Sequence, residues 1–540
     1  MGRLVDCPSE KPKFLYKLGS NSMLTGEFLR DSAQRSPERV AIIDGDRRMS
    51  YGELDACVNR FARALLSLPL TENPKISILS SNRLEYAVAY FGVARCGYTL
   101  AHISTKITTD NLIYMLEQIG TEVILFEPRT ASLVGSALKR INGTKHLIEL
   151  GTSAGVDVCL AGAVSFADLV DGQSAEVPLV RLEESMPLGI TFTGGTTGFP
   201  KAVLVTHKAR YATACTALMD FGLDEHDIVA VTTPMFHSAG LYVWFAPAIM
   251  LGATVVMLPG WDVSQFMAMV ESEKVTAAFF VPSQLSDLVS HADFSSEKLA
   301  SLQKIGYAGS PMSRALLERV HAVFPDVEFT ENYGQSEICP ITIRSPHHPK
   351  DKLDSVGKPA SNIEIQVVGS DGLPLSAGEI GEIVTRGDPL FECYYNDPKQ
   401  TEEAFPKGDG WLWTGDMGFL DKDGFLVLMD RSKDMLVSGG ENIYPAEIEN
   451  ALYQHEAVEE CAVFGVPDEK WGEVPVAHVV LASSVSTSED ELISFCVTRI
   501  PRHKRPRQIK FVESLPRTPV GKIKKVLLRK PYWDGLKKNI

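Results

Sequence analysis

Cysteines are few in this sequence, and none of them forms a metal-binding or disulfide pattern. Nine cysteines are scattered over 540 residues, and no C-x-x-C occurs. An odd number of scattered thiols argues against a disulfide-stapled secreted protein and against a zinc knuckle. We therefore expect most of these cysteines to be small buried residues in a reducing cytoplasm.

Targeting signals and long apolar runs are also scarce. The N-terminus lacks the apolar core of a signal peptide, Asp6 stands where a myristoylation motif needs Ser or Thr, and the last residues, LKKNI, are no peroxisomal signal. One uncharged run, Gly240 to Leu258, approaches the length of a membrane span, but Pro247, Gly252 and the β-branched residues 254–256 interrupt it. We predict a buried helix, a turn and a buried strand there, no transmembrane segment, and a cytoplasmic protein.

Positive charge is in deficit overall but is concentrated near the C-terminus. The chain has 53 Lys and Arg against 68 Asp and Glu, a net charge of −15. This balance argues against a protein that coats nucleic acid or an anionic membrane. Residues 499–538 reverse the sign, with fourteen basic residues against two acidic ones. Such a run is either a solvated basic face or a surface that binds a polyanionic small molecule.

Strand and helix patterns alternate from Thr25 through the first two thirds of the chain. Ser50 and Glu53 have the spacing of a capping box, which predicts the start of a helix. Alternation of this kind predicts parallel sheets covered by helices on both faces. The predicted strands include residues 75–79, 122–126, 228–232, 254–258, 276–281 and 305–308.

The pattern changes at about Val356 to closely spaced strands with Gly-rich turns, among them predicted strands at residues 363–368 and 381–386, and a new strand–helix unit begins after Asp430. We therefore predict an α/β protein. Its large N-terminal domain, residues 1–430, contains two parallel α/β sheet subdomains plus a β-barrel-like subdomain, and residues 431–540 form a small C-terminal α/β domain.

Residues 188–201, LGITFTGGTTGFPK, combine an apolar strand with glycines, threonines and a lysine. Glycines let the backbone approach a ligand, while loop N–H groups, Thr hydroxyls and Lys201 can bind phosphate oxygens. The Walker pattern of P-loop NTPases is not matched, because Pro200 precedes the lysine and Ala202 follows it. A kinase or other P-loop NTPase is therefore disfavoured, and the loop alone would be equally explained as a tight surface turn.

This segment is the first of seven motifs in which the sequence resembles the adenylate-forming superfamily of AMP-binding enzymes. That superfamily comprises acyl- and aryl-CoA synthetases, adenylation domains and luciferases. The resemblance runs from about residue 25 to 530 and looks strongest toward bacterial-type fatty and aromatic acid–CoA ligases. Gly194 stands where Ser is commoner in the family, Ala202 where Gly is, and Ser336 in a Thr position. The further motifs are PMFH at 234–237, NYGQSE at 332–337, WTGD at 413–416, DRSKD at 430–434, SGGENIYPAEIE at 438–449 and PRTPVGKIKK at 516–525.

The resemblance implies two half-reactions in one site. A carboxylate attacks the α-phosphate of ATP to give an acyl-adenylate and pyrophosphate, and the thiol of coenzyme A then displaces AMP. Because both first reactants are anionic, positioning and electrostatic stabilisation must provide most of the catalysis.

The family motifs also imply which residues bind the nucleotide. Glu337 is the expected Mg²⁺ ligand, since a hard cation prefers carboxylate oxygen. Asp416 is expected on the ribose hydroxyls, Tyr333 and the backbone of Gly309 and Ser310 beside the adenine, and Arg431 on the ribose or phosphate. The full set expected to bind nucleotide is Thr193, Gly194, Gly195, Thr196, Thr197, Gly198, Lys201, Gly309, Ser310, Asn332, Tyr333, Gly334, Gln335, Ser336, Asp416 and Arg431.

The resemblance makes the C-terminal domain a mobile lid that carries the catalytic Lys522, expected to bridge the acyl carboxylate and the α-phosphate. Lys433 corresponds to the hinge at which the lid rotates between the two half-reactions. Gly439 and Gly440 are expected to line the pantetheine tunnel of coenzyme A. His237 is expected to gate or line the acyl pocket, although a lone histidine is also often structural.

The acyl pocket is expected to be lined by residues 237–245, 281–285, 307–311 and 338–341, which are mostly apolar with several small side chains. We therefore expect a hydrophobic carboxylic acid as substrate, and a medium-chain, alicyclic and aromatic acid remain alternatives. No Asp lies at residues 233–240 to hold an α-amino group, which weakens an amino-acid substrate.

Three interpretations stay open at this point. The primary one is an acid–CoA ligase that uses ATP, Mg²⁺ and coenzyme A and has no nucleic-acid partner. A homo-oligomer is compatible with this interpretation. A second is an enzyme of the same fold that passes the acyl group to a carrier protein or oxidises it as luciferases do, although no carrier-like module follows residue 530. A third is a non-catalytic binding homologue, against which the intact Lys522, Glu337, Asp416 and Lys433 speak.

Overall fold

The computed structural model describes residues 23–151, 157–193, 200–310, 312–439, 441–482, 485–518 and 522–534. Within these ranges the strands are β1 (Val40–Asp44), β2 (Arg47–Ser50), β3 (Lys75–Leu79), β4 (Thr99–Ile103), β5 (Thr121–Phe126), β6 (His146–Glu149), β7 (Ala163–Ser165), β8 (Pro187–Thr193), β9 (Lys201–Thr206), β10 (Ile228–Val231), β11 (Thr254–Met257), β12 (Ala277–Phe280), β13 (Lys304–Ala308), β14 (Glu328–Tyr333), β15 (Thr342–Arg344), β16 (Lys358–Pro359), β17 (Ile363–Val368), β18 (Gly381–Gly387), β19 (Cys393–Tyr394), β20 (Leu412–Leu420), β21 (Leu426–Arg431), β22 (Leu436–Ser438), β23 (Glu441–Ile443), β24 (Val458–Asp468), β25 (Gly472–Leu481) and β26 (Gln508–Phe511).

The α-helices of the same ranges are α1 (Glu27–Arg35), α2 (Tyr51–Ser67), α3 (Leu84–Arg95), α4 (Thr109–Ile119), α5 (Ala131–Leu138), α6 (Phe166–Val170), α7 (His207–Phe221), α8 (Ala246–Leu251), α9 (Val263–Glu273), α10 (Pro282–Ser290), α11 (Arg314–Val323), α12 (Pro398–Ala404), α13 (Pro445–Leu452), α14 (Glu489–Cys496) and α15 (Lys525–Trp533). A π-helix spans Ala239–Phe245 and runs directly into α8. The capping box predicted at the start of α2 is confirmed, because Ser50 Oγ accepts from Glu53 N at 3.3 Å and Glu53 Oε2 accepts from Ser50 N at 2.8 Å.

Two large, mostly parallel sheets dominate the fold, as the alternating pattern predicts. One has the strand order β16-β15-β14-β13-β12-β10-β11-β1-β2, and the other has the order β19-β9-β8-β4-β3-β5-β6-β7. Buried residues of both sheets share one apolar cluster with α2, α3, α7 and α8, so these helices lie between the sheets. The outer face of the first sheet is covered by α9, α10 and α11, and that of the second by α4 and α5.

The segment after Val356 folds into a four-stranded antiparallel sheet of order β17-β18-β20-β21, built around Val367, Ile383 and Leu426. This sheet occupies the region for which the sequence predicts a β-barrel-like subdomain. The chain then leaves β21 at Arg431 and enters β22 at Leu436, in a last sheet of order β23-β22-β25-β24 with β26 beside β25. The domain boundary at residues 430 and 431 stays a prediction.

The uncharged run from Gly240 to Leu258 contains most of the π-helix, α8, a left-handed turn at Gly252 with φ of 91°, and β11. The predicted order of buried helix, turn and buried strand is confirmed. Within the described ranges, none of the helices combines the length and apolar character that crossing a bilayer requires.

The topology brings the sequence motifs to one edge of the first sheet. Strands β10, β12, β13 and β14 are parallel neighbours, so the segments that follow them leave the sheet side by side. The register places Ala308 opposite Asn332, and the Gly309–Ser310 turn therefore lies next to the 332–337 motif. Ligands of open α/β sheets bind outside the carboxyl ends of the strands.

Candidate active site

The Gly-rich segment is framed by an antiparallel hairpin. Thr193 ends β8 and pairs in register with Lys201, which begins β9. Lys201 Nζ lies 4.4 Å from the centroid of the Tyr394 ring, within the range of a cation–π interaction. Strand β19 explains this contact, because it pairs Tyr394 with Val203 on β9. The expected phosphate ligands Gly194, Gly195, Thr196, Thr197 and Gly198 lie outside the described residues.

Glu337, the expected metal ligand, is a buried carboxylate with one oxygen engaged. Its Oε1 accepts a 2.6 Å hydrogen bond from the Tyr394 hydroxyl, and its backbone oxygen accepts from Phe391 N at 2.7 Å. Burial, and then the neighbouring Glu337 charge, raise the pKa of Tyr394, so this hydroxyl stays a donor. Among the described residues Oε2 of Glu337 has no hydrogen-bond partner and remains available to a cation.

This donor set fits Mg²⁺ and not a metal held by the protein alone. No group of three His, Cys, Asp or Glu side chains that could hold a metal occurs in the described ranges. Mg²⁺ typically binds one or two protein carboxylates and takes its other ligands from water and substrate phosphates. One free oxygen, on a carboxylate held by the same Tyr394 that contacts Lys201 of the β8–β9 hairpin, meets that requirement.

Asp416 lies in the middle of β20, opposite the last residue of β21, and is held by three side chains. Its Oδ2 accepts from the Tyr333 hydroxyl at 2.7 Å and from Gln335 Nε2 at 2.6 Å. Its Oδ1 lies 3.3 Å from Arg431 Nε, which the β20–β21 register places opposite it. Burial and then the Asp416 charge raise the pKa of Tyr333 well above its usual range. The carboxylate is therefore fixed in orientation, as a group that grips two ribose hydroxyls would have to be.

The turn after β13 and the end of β14 form the side expected to meet the adenine. Gly309 has φ of +100°, a conformation that favours glycine, and the turn runs beside Asn332. The side-chain oxygen of Asn332 is buried and lacks a hydrogen-bond partner in the described residues. Gly334 packs closely against Cys339, where an added Cβ would lie 3.2 Å from the cysteine Cβ. Ser336 accepts a hydrogen bond on its backbone oxygen from Arg210.

Lys522 belongs to the same electrostatic cluster as the expected nucleotide ligands. Burial and the positive charge of Arg431 lower the pKa of Lys522 to about 8, while the carboxylates of Asp416 and Glu337 oppose that shift. The backbone around Lys522 is closed by a 2.7 Å hydrogen bond from Thr518 N to Lys522 O. The lysine that the sequence singles out is thus within electrostatic reach of both acidic residues.

Lys433 and Gly439 lie on the connection between β21 and β23. Burial and then the Arg431 charge lower the pKa of Lys433, which sits in the turn after β21. Gly439 has φ of +60°, and its N–H donates to Trp471 O at 2.8 Å. A Cβ on Gly439 would lie 2.7 Å from Trp471 Cε3. Gly440 lies outside the described residues.

His237 lies between β10 and the π-helix, at the start of the expected acyl pocket. Its Nδ1 accepts from Ala239 N at 3.3 Å. Burial, and then the charge of Lys522, lower the pKa of His237 to about 3, so the ring is neutral at physiological pH. A neutral ring beside Lys522 suits a pocket wall better than a proton donor.

The segments expected to line the acyl pocket are largely buried and apolar, although Pro311 lies outside the described residues. Tyr242, Trp244 and Phe245 come from the π-helix, and Tyr307 from β13. π-Helices occur frequently at functional sites, because they shift side chains out of regular helical register.

Two contacting residues were missed by the sequence argument, Tyr394 and Arg210. Tyr394 lies in the segment ECYYNDP, which none of the seven motifs includes. Arg210 could have been noticed as a charge inside the otherwise small and uncharged stretch ARYATACTAL. Both act through partners that are distant in sequence, and only the fold brings those partners together.

The profile of the family described as AMP-binding enzyme matches residues 29–395, and that of the AMP-binding enzyme C-terminal domain matches residues 447–522. The long-chain-fatty-acid–CoA ligase FadD13 of Mycobacterium tuberculosis is 31% identical over 510 residues, 94% of this chain and 98% of the relative. The fatty acid–[acyl-carrier-protein] ligase ScoC of Streptomyces coeruleorubidus is 32% identical over 518 residues, 94% of this chain and 96% of the relative.

Solved structures are similar over the same extent. The anthranilate CoA ligase AuaEII in complex with anthranoyl-AMP superposes with a TM-score of 0.87 at 25% identity, covering 94% of this chain and 97% of the other. The likeness to known proteins therefore spans both the large sheets and the C-terminal sheet.

Proposed function

Because the chain belongs to the AMP-binding enzyme family, we propose that it is an ATP-dependent acid–CoA ligase acting on a hydrophobic carboxylic acid. A carboxylate oxygen attacks the α-phosphorus of ATP, the bond to the bridging oxygen breaks, and pyrophosphate leaves. The sulfur of coenzyme A then attacks the acyl carbon, its thiol proton is lost to solvent, and AMP leaves with the electron pair of the broken C–O bond.

The observation that carries the proposal is the electrostatic coupling of the Lys522 amine to the carboxylates of Asp416 and Glu337, both of which favour its charged form. A cation there can neutralise both the attacking carboxylate and the α-phosphate, whose repulsion opposes the first half-reaction. Asp416, fixed by Tyr333, Gln335 and Arg431, is the proposed ribose ligand. Lys201 and the Gly-rich segment are the proposed phosphate ligands.

Glu337 is the proposed Mg²⁺ ligand through its free Oε2. When bound, Mg²⁺ would neutralise phosphate charge and orient the leaving pyrophosphate. The chain itself contributes the buried carboxylate and the Tyr394 hydrogen bond that orients it.

The substrate proposal rests on the buried, mostly apolar segments around Tyr242, Trp244 and Tyr307. FadD13 is named for a long-chain fatty acid and AuaEII for anthranilate. The similar proteins thus include one named for an aliphatic acid and one named for an aromatic acid. We propose a cytoplasmic location, where ATP and coenzyme A are both available.

A panel of aliphatic, alicyclic and aromatic acids, scored by AMP formation with and without coenzyme A, tests this function. We expect pyrophosphate release with at least one hydrophobic acid and AMP release that requires coenzyme A. Lys522→Ala is expected to slow pyrophosphate release by about 10²–10³-fold and to keep more of the thioester step when preformed acyl-adenylate is supplied. Equal loss of both steps would overturn the role given to Lys522.

A second candidate acceptor is the phosphopantetheine of a carrier protein. The relative ScoC, named as a fatty acid–[acyl-carrier-protein] ligase, favours this alternative as a specific comparison. Turnover with a phosphopantetheinylated carrier protein but not with free coenzyme A would establish it in place of the first.

A further inference from the structure

Arg210 is a buried cation without an acidic partner in the described residues. It lies in the first turn of α7 and is 1% exposed. Its Nη2 donates to Ser336 O at 2.7 Å, and its Nη1 donates to Thr213 Oγ1 at 3.1 Å and to Cys339 Sγ at 3.4 Å. The guanidinium carbon lies 4.6 Å from the centroid of the Tyr242 ring, and Nε has no hydrogen-bond partner in the described ranges.

A charge in this environment is costly. Burying an ion without a counter-ion loses far more solvation than neutral hydrogen bonds return. The ring of Tyr242 compensates in part, since a desolvated cation–π contact contributes about 2 kcal/mol. A neutral side chain would fill the same space at lower cost, so packing alone does not account for an arginine here.

The contacts of Arg210 lie on both sides of Glu337. Ser336 precedes the carboxylate residue directly, and Cys339 follows two residues later. From another element, Tyr394 donates to Glu337 Oε1 and Phe391 N donates to the Glu337 backbone oxygen. The short segment that carries the proposed metal ligand is thus held by hydrogen bonds from two elements, α7 and the β19 region.

We propose that Arg210 is a positioning residue that fixes the Ser336–Glu337 peptide and so orients the Glu337 carboxylate toward the metal–nucleotide complex. The fork of the guanidinium is required, because one group must reach the Ser336 oxygen and the Cys339 sulfur together. A lysine keeps the charge but offers a single flexible ammonium. The inference rests on the proposed function in that it takes Glu337 to be the metal ligand.

Two other roles for Arg210 predict different behaviour. Tyr242 and Cys339 belong to segments expected to line the acyl pocket, so the guanidinium could instead bind an anionic group on the acid. It could also serve only the stability of the fold. The first role would change the KM of the acid, and the second would change the melting temperature alone.

The test uses the full chain with Arg210→Lys and Arg210→Met, and Arg95→Lys as a matched control. Arg95 is also a buried arginine, 3% exposed in α3, but it bonds to Asp55 and Asn59, away from the site. The probe is the complex of Mn²⁺ with ATP, whose binding is followed by the enhancement of water-proton relaxation by the protein-bound Mn²⁺ and requires no turnover. The Mg²⁺ dependence of pyrophosphate exchange and the acid KM are measured alongside.

We expect both Arg210 variants to bind Mn²⁺–ATP about tenfold more weakly, the effect typical of groups that orient a metal ligand. Excess Mg²⁺ should restore most of the pyrophosphate-exchange rate of Arg210→Lys. The KM of the acid should change less than about twofold, because the substitution acts on the orientation of the metal ligand and not on the acid. Arg95→Lys should bind Mn²⁺–ATP as the unchanged protein does. Either Arg210 variant suffices if the other does not fold, and Cys339→Ala, which removes one of the acceptors of Arg210, provides a third test with a smaller loss in the same direction.

Unchanged Mn²⁺–ATP binding in a folded Arg210 variant would overturn the proposal, whether the acid KM rises or only the melting temperature falls. If no acid supports turnover, the proposed function fails, yet the Mn²⁺–ATP measurement still decides the role of Arg210. The two failures are therefore distinguishable.

Discussion

The Tyr394 hydroxyl donates a 2.6 Å hydrogen bond to Oε1 of Glu337, while the face of the same ring lies 4.4 Å from Lys201 Nζ. One aromatic side chain therefore contacts both the proposed metal ligand and Lys201, a proposed phosphate ligand at the start of β9. The contact depends on the pairing of β19 with β9, since that pairing brings residue 394 beside the first strand residues after the Gly-rich segment.

Tyr394→Phe removes the hydrogen bond and keeps the ring. We expect the rate of ATP–pyrophosphate exchange to fall about tenfold, because groups that orient a metal ligand typically have effects of this size. Tyr394→Leu should lose more, since it also removes the cation–π contact with Lys201. Exchange rates equal to the unchanged protein in Tyr394→Phe would contradict the orienting role.

Asp416→Asn tests the proposed ribose ligand. The substitution removes the charge that pairs with Arg431 and weakens the acceptor of Tyr333 and Gln335. Hydrogen bonds to charged groups contribute about 1.5–3 kcal/mol, so we expect the KM for ATP to rise roughly 10- to 100-fold.

Asp421→Asn is the control for that measurement. Asp421 follows β20 and pairs with Lys352 Nζ at 2.7 Å, at the far end of the strand that carries Asp416. Its substitution should lower the melting temperature without changing the KM for ATP. Equal effects of the two substitutions on ATP would show that the loss at Asp416 is a general effect on this sheet.

The sequence predicts the strands with good accuracy where a buried apolar run is bounded by turns. Lys75–Leu79 and Ile363–Val368 have the predicted bounds, because β-branched residues and flanking turn residues both mark their ends. Gly381–Gly387 extends one residue beyond the prediction, since backbone pairing with Ile363 continues to Gly387. Pairing between strands decides such ends, and a single sequence does not contain that information.

The candidate site likewise contains residues that local motifs identify and residues that only the fold identifies. Glu337, Asp416 and Lys522 were named because each stands in a motif with its own chemistry. The bond from Tyr394 to Glu337 and that from Arg210 to Ser336 span 57 and 126 residues. Neither Tyr394 nor Arg210 stands in a sequence motif, so only the fold identifies their contacts.

The pH dependence of the first half-reaction should report Lys522. Its pKa of about 8 lies below the ordinary value of 10.5, so the amine loses its proton, and with it the required charge, as pH rises through 8. We expect kcat/KM for ATP, which reports groups of the free enzyme, to fall above pH 8. Lys522→Arg keeps its charge throughout this range and should be less active at pH 7 but lack the decline. A wild-type profile that is flat to pH 10 would contradict this assignment.

Gly439→Ala tests the proposed channel for coenzyme A. The new Cβ would meet Trp471 at 2.7 Å, and φ of +60° adds backbone strain of about 1 kcal/mol. We expect slower conversion of acyl-adenylate to thioester with little change in pyrophosphate release. Gly472→Ala is a matched control, because Gly472 also has positive φ, +81°, but its Cβ would have no neighbour closer than 3.8 Å. Equal effects of the two variants on the thioester step would attribute the loss to backbone strain.

Lys433→Pro tests the proposed hinge. Lys433 lies in the turn between β21 and β22, and rotation of the C-terminal sheet about this residue requires a change of its φ. Proline fixes φ near −65°, so the variant should release pyrophosphate almost normally and form thioester at least about tenfold more slowly, a barrier increase of about 1.4 kcal/mol. Lys422→Pro introduces proline into the exposed turn between β20 and β21 and should leave both steps unchanged. The two steps are assayed separately, the first by pyrophosphate release and the second by transfer from preformed acyl-adenylate. Parallel losses of both steps in Lys433→Pro would mean that residue 433 supports the site without acting as its pivot.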